Sequence, residues 1–465
     1  MRRAPGIGMT PKEKIDAFLR AELDKEQALT DLRVRFLAGK ARELYWTLSR
    51  LVGLSRLHDG RWRRPGHAEA ASLRPVLDGD IPTPPEQGRL LIDVTATHRY
   101  RKHTGVQRVV REIARACVES GSGLPVFIED GRLYSHFRHQ RLPDEVMMGA
   151  GDKLLLLDSG WGFFDEYPPL MDSARLAGAR VVGCLYDIIP LLYPDAAESA
   201  NGRSFAVWFE TVLMKCDALM CISKSVAGDL VGHLRDTGRE APANMQIGWW
   251  PLGADFRAPP DATPSARALE ITASPTPYFM SVGTLEPRKA YPVALAAFEK
   301  LWADGRDLRY VVVGRPGWNT RALQRRIRRH AEYGRRLIWL DNASDADLFH
   351  LYRHARALVF PSFAEGFGMP LVEAAHHGAR VIASDIPVFR EIGGDHVTYF
   401  PLLDAAALAE RIGEEQAVAN AVQPTKVVNW RESAAILADI VRNEKYQIDA
   451  ATLQNAMRAP ASELN

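Results

Sequence analysis

Two glutamates eight positions apart, Glu365 and Glu373, are the residues of this 465-residue chain best placed to do chemistry. They sit in the run ALVFPSFAEGFGMPLVEAAHHGARVIASD. Its pattern predicts a strand ending at Pro361, a loop carrying Glu365, Gly366, Phe367 and Gly368, and a helix opening near Met369 with Pro370 in its first turn. The two glycines let backbone amides approach a ligand without Cβ clashes. A helix N-terminus carries partial positive charge and suits a phosphate. Eight positions are about two helical turns, so both carboxylates fall near one helix end, where they can accept hydrogen bonds from sugar and ribose hydroxyls. The plainer alternative is a pair of acids that only complements the helix dipole. The glycines and the preceding strand favour a ligand site.

Elements must hold that loop. From Leu90 the chain alternates strand runs (RLLIDVTAT, DKLLLLDSG, ARVVGCLYDIIP, DALMCIS) with amphipathic helices such as VQRVVREIARACVES. A Pro-rich stretch, Pro251 to Pro277, breaks the pattern and reads as an interdomain linker. The alternation resumes with PYFMSVGTL, a helix over Val293 to Ala303, LRYVVVGRPG, ALVFPS and ARVIASD. This is the signature of α/β doubly wound parallel sheets, here two in succession. The expected layout is a helical N-terminal extension over 1–88, Rossmann-like domains over 89–258 and 275–428, and a helix and tail over 429–465. Ligands bind outside the carboxyl ends of such strands, which is where the Glu365 loop lies.

Composition narrows the field. Hydrophobic content of 46% and charged content of 25% fit an ordinary globular protein, and a formal charge of +2 gives no case for nucleic acid binding. Cys117, Cys184, Cys216 and Cys221 lack metal-ligand spacing and read as reduced, buried thiols. No secretory signal or membrane-spanning run is present, so a cytoplasmic protein is expected. Between Asp31 and Arg64, nine Lys/Arg stand against three acids, a net of +6, interleaved with Leu37, Leu44, Leu48, Leu51, Leu54, Trp46 and Trp62. Such a segment either lies on an anionic membrane surface, at the inner face, or packs on its own domain with a solvated basic face. Asp345 and Asp347 spell D-x-D, the pattern of metal-dependent sugar transfer, but with Ser344 they read as a helix cap. Asp78 and Asp80 lie in a turn-rich stretch, His376 and His377 read as structural, and the arginines of RALQRRIRRHAEYGRR read as a solvated helix face. No metal or other cofactor is expected.

FAEGFGMPLVE resembles the E-x7-E signature of retaining glycosyltransferases of family 4, which have the GT-B fold of two Rossmann-like domains facing a cleft. SVGTLEPRKAYPVALAAF, LIWLDNASDADLFHLYRHARALVFPS, LYDIIPLLYPD and TGVQRVVR are similar to other segments of that family, its bacterial polysaccharide members above all. The likeness runs from about Leu90 to Tyr446. It implies that Glu373 binds the ribose of a nucleotide diphosphate sugar and that Glu365 contacts the transferred sugar, with the backbone of Gly366, Phe367, Gly368 and Met369 around them. Arg288 and Lys289 would neutralise the diphosphate beside Gly283 and Thr284, Gly105 would let the first domain approach it, and Asp187 would sit by the reacting sugar and acceptor. A leaving diphosphate develops negative charge, which a fixed cation offsets. Two positions depart from the family: Thr284 follows Gly283 where many members have arginine, and Tyr186 precedes Asp187 where many have histidine.

The resemblance implies retaining, metal-independent transfer of a hexosyl group to a glycan or lipid-linked oligosaccharide, with GDP-mannose or a rhamnose or fucose donor as the best match. A GT-B nucleotide-sugar epimerase and a non-catalytic scaffold at the membrane remain as alternatives.

Overall fold

The computed structural model describes residues 9–28, 88–99, 104–135, 145–163, 165–255, 262–416 and 428–458, with backbone alone at 199–201. The basic segment 31–64, with its leucines and both tryptophans, lies outside the described residues, as do Asp78 and Asp80.

Two sheets carry the fold. The first has seven strands in the order β3-β2-β1-β4-β5-β6-β7. These are β1 (Leu90–Asp93), β2 (Leu124–Glu129), β3 (Arg132–Ser135), β4 (Lys153–Leu156), β5 (Arg180–Leu185), β6 (Ala218–Cys221) and β7 (Gln246–Trp249). All neighbours are parallel except β3, which pairs antiparallel with β2 through a turn at Asp130-Gly131. Asp130 and Gly131 both take positive φ, 50° and 75°, as a two-residue hairpin turn requires. The second sheet is wholly parallel in the order β10-β9-β8-β11-β12-β13. Its strands are β8 (Tyr278–Val282), β9 (Arg309–Val313), β10 (Leu337–Leu340), β11 (Ala357–Phe360), β12 (Arg380–Ser384) and β13 (Val397–Phe400). Their runs of Val, Ile and Leu are buried along their length, which is what strands covered by helices on both faces need.

Each sheet has a point where the winding reverses: between β1 and β4 in the first, between β8 and β11 in the second. Loops leaving neighbouring strands there diverge and open a crevice. The loops after β8 and β11 carry Arg288-Lys289 and Glu365, respectively.

One connection departs from expectation, and two further helices pack in places the sequence pattern leaves open. The stretch read as an irregular linker contains a helix, Ala266–Ala273, because Ser265 caps the helix-forming run ARALEITA. The helix Trp430–Asn443 follows the second sheet in sequence but packs on the first-domain helix Gly105–Glu119. Lys153 and Arg180, the first residues of β4 and β5, pair with Glu444, which caps its C-terminal end. The N-terminal helix Pro11–Ala28 buries Ile15 and Leu19 against the second domain, and its Glu26 accepts the amide of Ala322 at 2.7 Å. The arginine-rich run is helical only over Arg321–Arg328. Arg335 and Arg336 beyond it close on Glu332, and Arg326 pairs with Glu299. All four cysteines are free and buried.

Candidate active site

The second sheet's switch point gathers the charged residues. A short 3-10 turn, Pro287–Lys289, follows β8, and Ala290 after it adopts the left-handed conformation at φ 46° with its side chain fully buried. Non-glycine residues seldom take that conformation, and here it turns the chain so that the helix Tyr291–Ala303 starts directly behind the two cations. Arg288 donates to Glu365 at 2.6 Å and to Glu286 at 2.9 Å, and Lys289 meets the other oxygen of Glu365 at 2.6 Å. Burial alone raises a carboxyl, but the two cations outweigh it and hold Glu365 down at about 2. Burial also pushes Lys289 below the usual lysine range, while Glu365 pulls the other way. Arg288 is raised despite burial, by Glu365, Glu286 and Asp187. The cluster therefore packs Arg288 and Lys289 against Glu365 and Glu286, with Asp187 in the same electrostatic neighbourhood.

The glycines around it serve packing as much as ligand approach. A Cβ on Gly283, whose φ is 139°, would sit 3.1 Å from Lys289 Cε, and its carbonyl already accepts the Tyr291 hydroxyl at 2.6 Å. Thr284, next to it, is half-buried. Gly314, not singled out from the sequence, lies so close that a Cβ there would fall 1.9 Å from the Gly283 oxygen. Gly366 has a reason the sequence could not supply: its Cβ would land 1.9 Å from the carbonyl oxygen of Tyr186 in the first domain. The Ser223 hydroxyl, which caps the helix Lys224–Thr237, donates to the Gly366 carbonyl at 2.7 Å, a second contact across the cleft. Gly368 takes φ 92° and starts the helix Met369–His376, whose N-terminus no side chain caps. Phe367 is buried and Met369 half-buried.

From the first domain, Asp187 follows β5 and accepts the amide of Ile189 at 3.0 Å. Burial raises its carboxyl; Arg288 lowers it and Glu365 raises it, so these three groups share one electrostatic neighbourhood. Asp229, on the helix after β6, was not singled out from the sequence; burial and then Asp187 push its carboxyl up to about 6. Tyr186 does not face the cleft: its hydroxyl donates to the Leu157 carbonyl at 2.9 Å and its ring is buried. It therefore offers no replacement for the family's histidine. Gly105 is the first residue of the helix Gly105–Glu119 under a Thr104 cap, and a Cβ there would meet nothing within 4 Å, so packing does not explain the glycine.

Glu373 is buried, and burial raises its carboxyl. Its partners are the Tyr352 hydroxyl at 3.0 Å and, unanticipated, Arg108 from the first domain at 3.0 Å. Asp347 is spent on structure: it completes the capping box with Ser344 and accepts the amide of Ser265 at 2.6 Å. Asp345 pairs with Arg108 at 2.9 Å. His377 packs against Phe349 and Tyr352, and burial lowers it to about 4. Among the described residues no cluster of three or more His, Cys, Asp or Glu could hold a metal ion.

Comparison with known proteins places the same stretch in a known family. Residues 267–416, which carry Arg288, Lys289, Glu365 and Glu373, match the family described as glycosyl transferases group 1. Over 372 residues, 75% of this chain, the sequence is 35% identical to an Escherichia coli serotype-specific mannosyltransferase, WbdA, of which it covers 44%. It is 33% identical over 159 residues, 34% of this chain and 39% of the relative, to the O-antigen chain mannosyltransferase B of Escherichia coli. The chain thus spans less than half the length of these curated relatives. In fold it is similar to the Anabaena Alr3699/HepE crystal structure in complex with UDP and glucose, with TM-score 0.50, 16% identity, and 79% of this chain and 97% of that one covered. Residues 267–416 thus carry a group 1 glycosyltransferase domain, and the chain's two α/β sheets give it the GT-B fold.

Proposed function

We propose that the chain is a retaining hexosyltransferase that uses a nucleotide diphosphate sugar and needs no metal. The observation that carries this reading is the pair of cations, half-buried Arg288 and buried Lys289, held on Glu365 where the second sheet's winding reverses, with Asp187 of the first domain beside them. The two cations are already fixed at the switch point before substrate arrives, and donor binding exchanges the anion they hold. On this reading the donor's diphosphate takes the place of Glu365 on the two cations, and Glu365 turns to the hydroxyls of the transferred sugar. Gly283, Thr284 and the amides from Gly366 to Met369 line the diphosphate and sugar, Gly105 admits the diphosphate from the other side, and Glu373 takes the ribose.

The chemistry follows from what is near the bond. Among the described residues the donor-side loops bring Glu286 as well as Glu365 to the cations; Glu286 stays paired with Arg288 and Glu365 is assigned to the sugar's hydroxyls, so neither is assigned as a nucleophile. The bond from the anomeric carbon to the diphosphate oxygen breaks, and the acceptor hydroxyl bonds to that carbon on the same face. Its proton passes to the leaving diphosphate oxygen while Arg288 and Lys289 carry the charge. Asp187 positions the acceptor hydroxyl. The names of the relatives favour a mannosyl group; the proposed donor is GDP-mannose first and a rhamnose or fucose donor next, and the proposed acceptor is a glycan or lipid-linked oligosaccharide. Contact with an anionic membrane face through the basic segment 31–64 belongs to the same proposal. No helix of the described residues is long and apolar enough to cross a membrane.

The test is transfer from GDP-mannose and other nucleotide sugars to mannose-containing oligosaccharides, with nuclear magnetic resonance of the product's anomeric proton. An axial donor should yield an axial product alongside free nucleotide diphosphate. An inverted product, or donor conversion without acceptor, would overturn the proposal.

A further inference from the structure

Arg108 stands in the first turn of the helix Gly105–Glu119, immediately after the Thr104–Gln107 capping box that fixes where that helix begins. Its guanidinium leaves the first domain altogether. One nitrogen donates to Glu373 at 3.0 Å and another to Asp345 at 2.9 Å, residues on two neighbouring helices of the second domain. Of the two carboxylates, Glu373 is the buried one, with its side chain 5% exposed, against 57% for Asp345. The fork of a guanidinium suits two acceptors held at fixed separation, as a lysine's point charge would not.

We propose that Arg108 is a donor-positioning residue: reaching over the cleft, it holds Glu373 as an oriented carboxylate ready for the nucleotide's ribose diol. This rests on the assignment of Glu373 to the ribose. A carboxylate has about four lone-pair sites, two on each oxygen. Arg108 occupies one on Oε1 and the Tyr352 hydroxyl occupies one on Oε2. One site per oxygen is left, which matches the two hydroxyl donors of a vicinal diol. Arg108 therefore has no need to leave when the nucleotide binds. The ribose completes the set that Arg108 and Tyr352 begin.

The charge balance explains why a cation is needed. The charged and titratable groups facing Glu373 are Arg108, Tyr352, Asp345 and Lys289, with His376 and His377 further along its own helix. Burial raises the Glu373 carboxyl and Asp345 raises it further, while Arg108 leads the groups that lower it. Without Arg108 the carboxyl keeps its proton at higher pH, and a protonated acid accepts too few hydrogen bonds to hold the diol.

The test is calorimetric binding of GDP, UDP and their 2′,3′-dideoxy forms to the full chain between pH 6.5 and 8.5, with the wild type as reference for the nucleotide's own titration. The variants are Arg108→Ala, Arg108→Lys, Glu373→Gln and the Arg108→Ala/Glu373→Gln pair. Arg108→Ala should weaken the preferred ribonucleotide by about tenfold or more at pH 6.5, with the loss shrinking as pH rises. Arg108→Lys should recover part of it, and the dideoxy form should be indifferent to Arg108. Adding Arg108→Ala to Glu373→Gln should cost less than about threefold, because the first acts through the second. Wild-type affinity in Arg108→Ala at every pH would overturn the inference, as would a loss that ignores pH and persists in the Glu373→Gln background. If Glu373→Gln binds ribose and dideoxyribose forms as the wild type does, the assignment of Glu373 itself falls and takes the inference with it.

Discussion

Gly366→Ala isolates the meeting of the two domains from the chemistry of either. The new methyl would lie 1.9 Å from the Tyr186 carbonyl oxygen, 3.0 Å from its carbon and 3.2 Å from Ile222 Cδ1. The first of these is backbone, so no rotamer change relieves it. Real Cβ atoms essentially never approach within 3.0 Å, so the loop and the first domain must part by about 1 Å or more. The Ser223 hydrogen bond to Gly366 stretches beyond use, a loss of about 1 kcal/mol. The clash reaches a core only at Ile222, so each domain should keep its fold and the melting temperature should fall only slightly. Glu365, Lys289 and Arg288 all lie on the second domain and move together, whereas Asp187 stays with the first. A misplacement of about 1 Å between reacting groups costs on the order of 100-fold in rate. The expected outcome is a kcat near one hundredth of wild type, with nucleotide diphosphate affinity within about threefold, read by coupled detection of nucleotide release and by calorimetry. A variant with wild-type kcat would refute the view that this contact sets the catalytic geometry. Lost nucleotide affinity would show that the glycine serves the donor rather than the domains.

Other residues should respond in their own ways. Lys289→Ala removes one of the two cations assigned to the leaving diphosphate and should lower kcat by roughly 100- to 1,000-fold; activity within tenfold of wild type would exclude it from charge stabilisation. Asp93, buried beneath the first switch point with Thr95, Tyr167 and Asp158 around it, is pushed up to about 7, by burial first and by Asp158 next. Its folded value exceeds the unfolded one, so it costs nothing below about pH 4 and destabilises progressively as pH rises towards 7, by up to about 4 kcal/mol. Asp93→Asn should therefore gain on the wild type in chemical denaturation between pH 5 and 8; parallel stability curves would contradict the assignment. Asp347→Ala should cost about 1 kcal/mol of stability through the lost cap and leave transfer insensitive to EDTA. Metal dependence that disappears with Asp347 would reverse that reading.

What was legible in the sequence was local. Glu365, Gly368 and Glu373 sit within nine residues, and Arg288 and Lys289 are adjacent, so their placement after β11 and β8 needs only strand, turn and helix patterns. The capping role of Asp347 was equally local. Arg108 escaped because its partners, Glu373 and Asp345, are 265 and 237 positions away. The role of Gly366 escaped for the same reason, since only the facing of two sheets brings Tyr186 against it. Tyr186 stands where many family members have histidine, and the direction of its side chain depends on packing beside β4. Some signals were present and passed over. Asp130-Gly131 between LPVFIE and RLYS is a strong hairpin marker, and Ser265 before ARALEITA is a helix cap inside the supposed linker. Proline density outweighed that cap in the reading of the linker.

The most direct test of the donor site is thermal stabilisation of the protein by a panel of nucleoside diphosphates and nucleotide sugars, with EDTA present, in the wild type, Glu373→Ala and Lys289→Ala. At about 100 times the dissociation constant, a specific ligand should add about 2.7 kcal/mol. The account predicts a shift for one nucleotide and its sugar that both variants abolish and EDTA leaves unchanged. A folded protein that no nucleotide stabilises, or a shift that survives both variants, would contradict it.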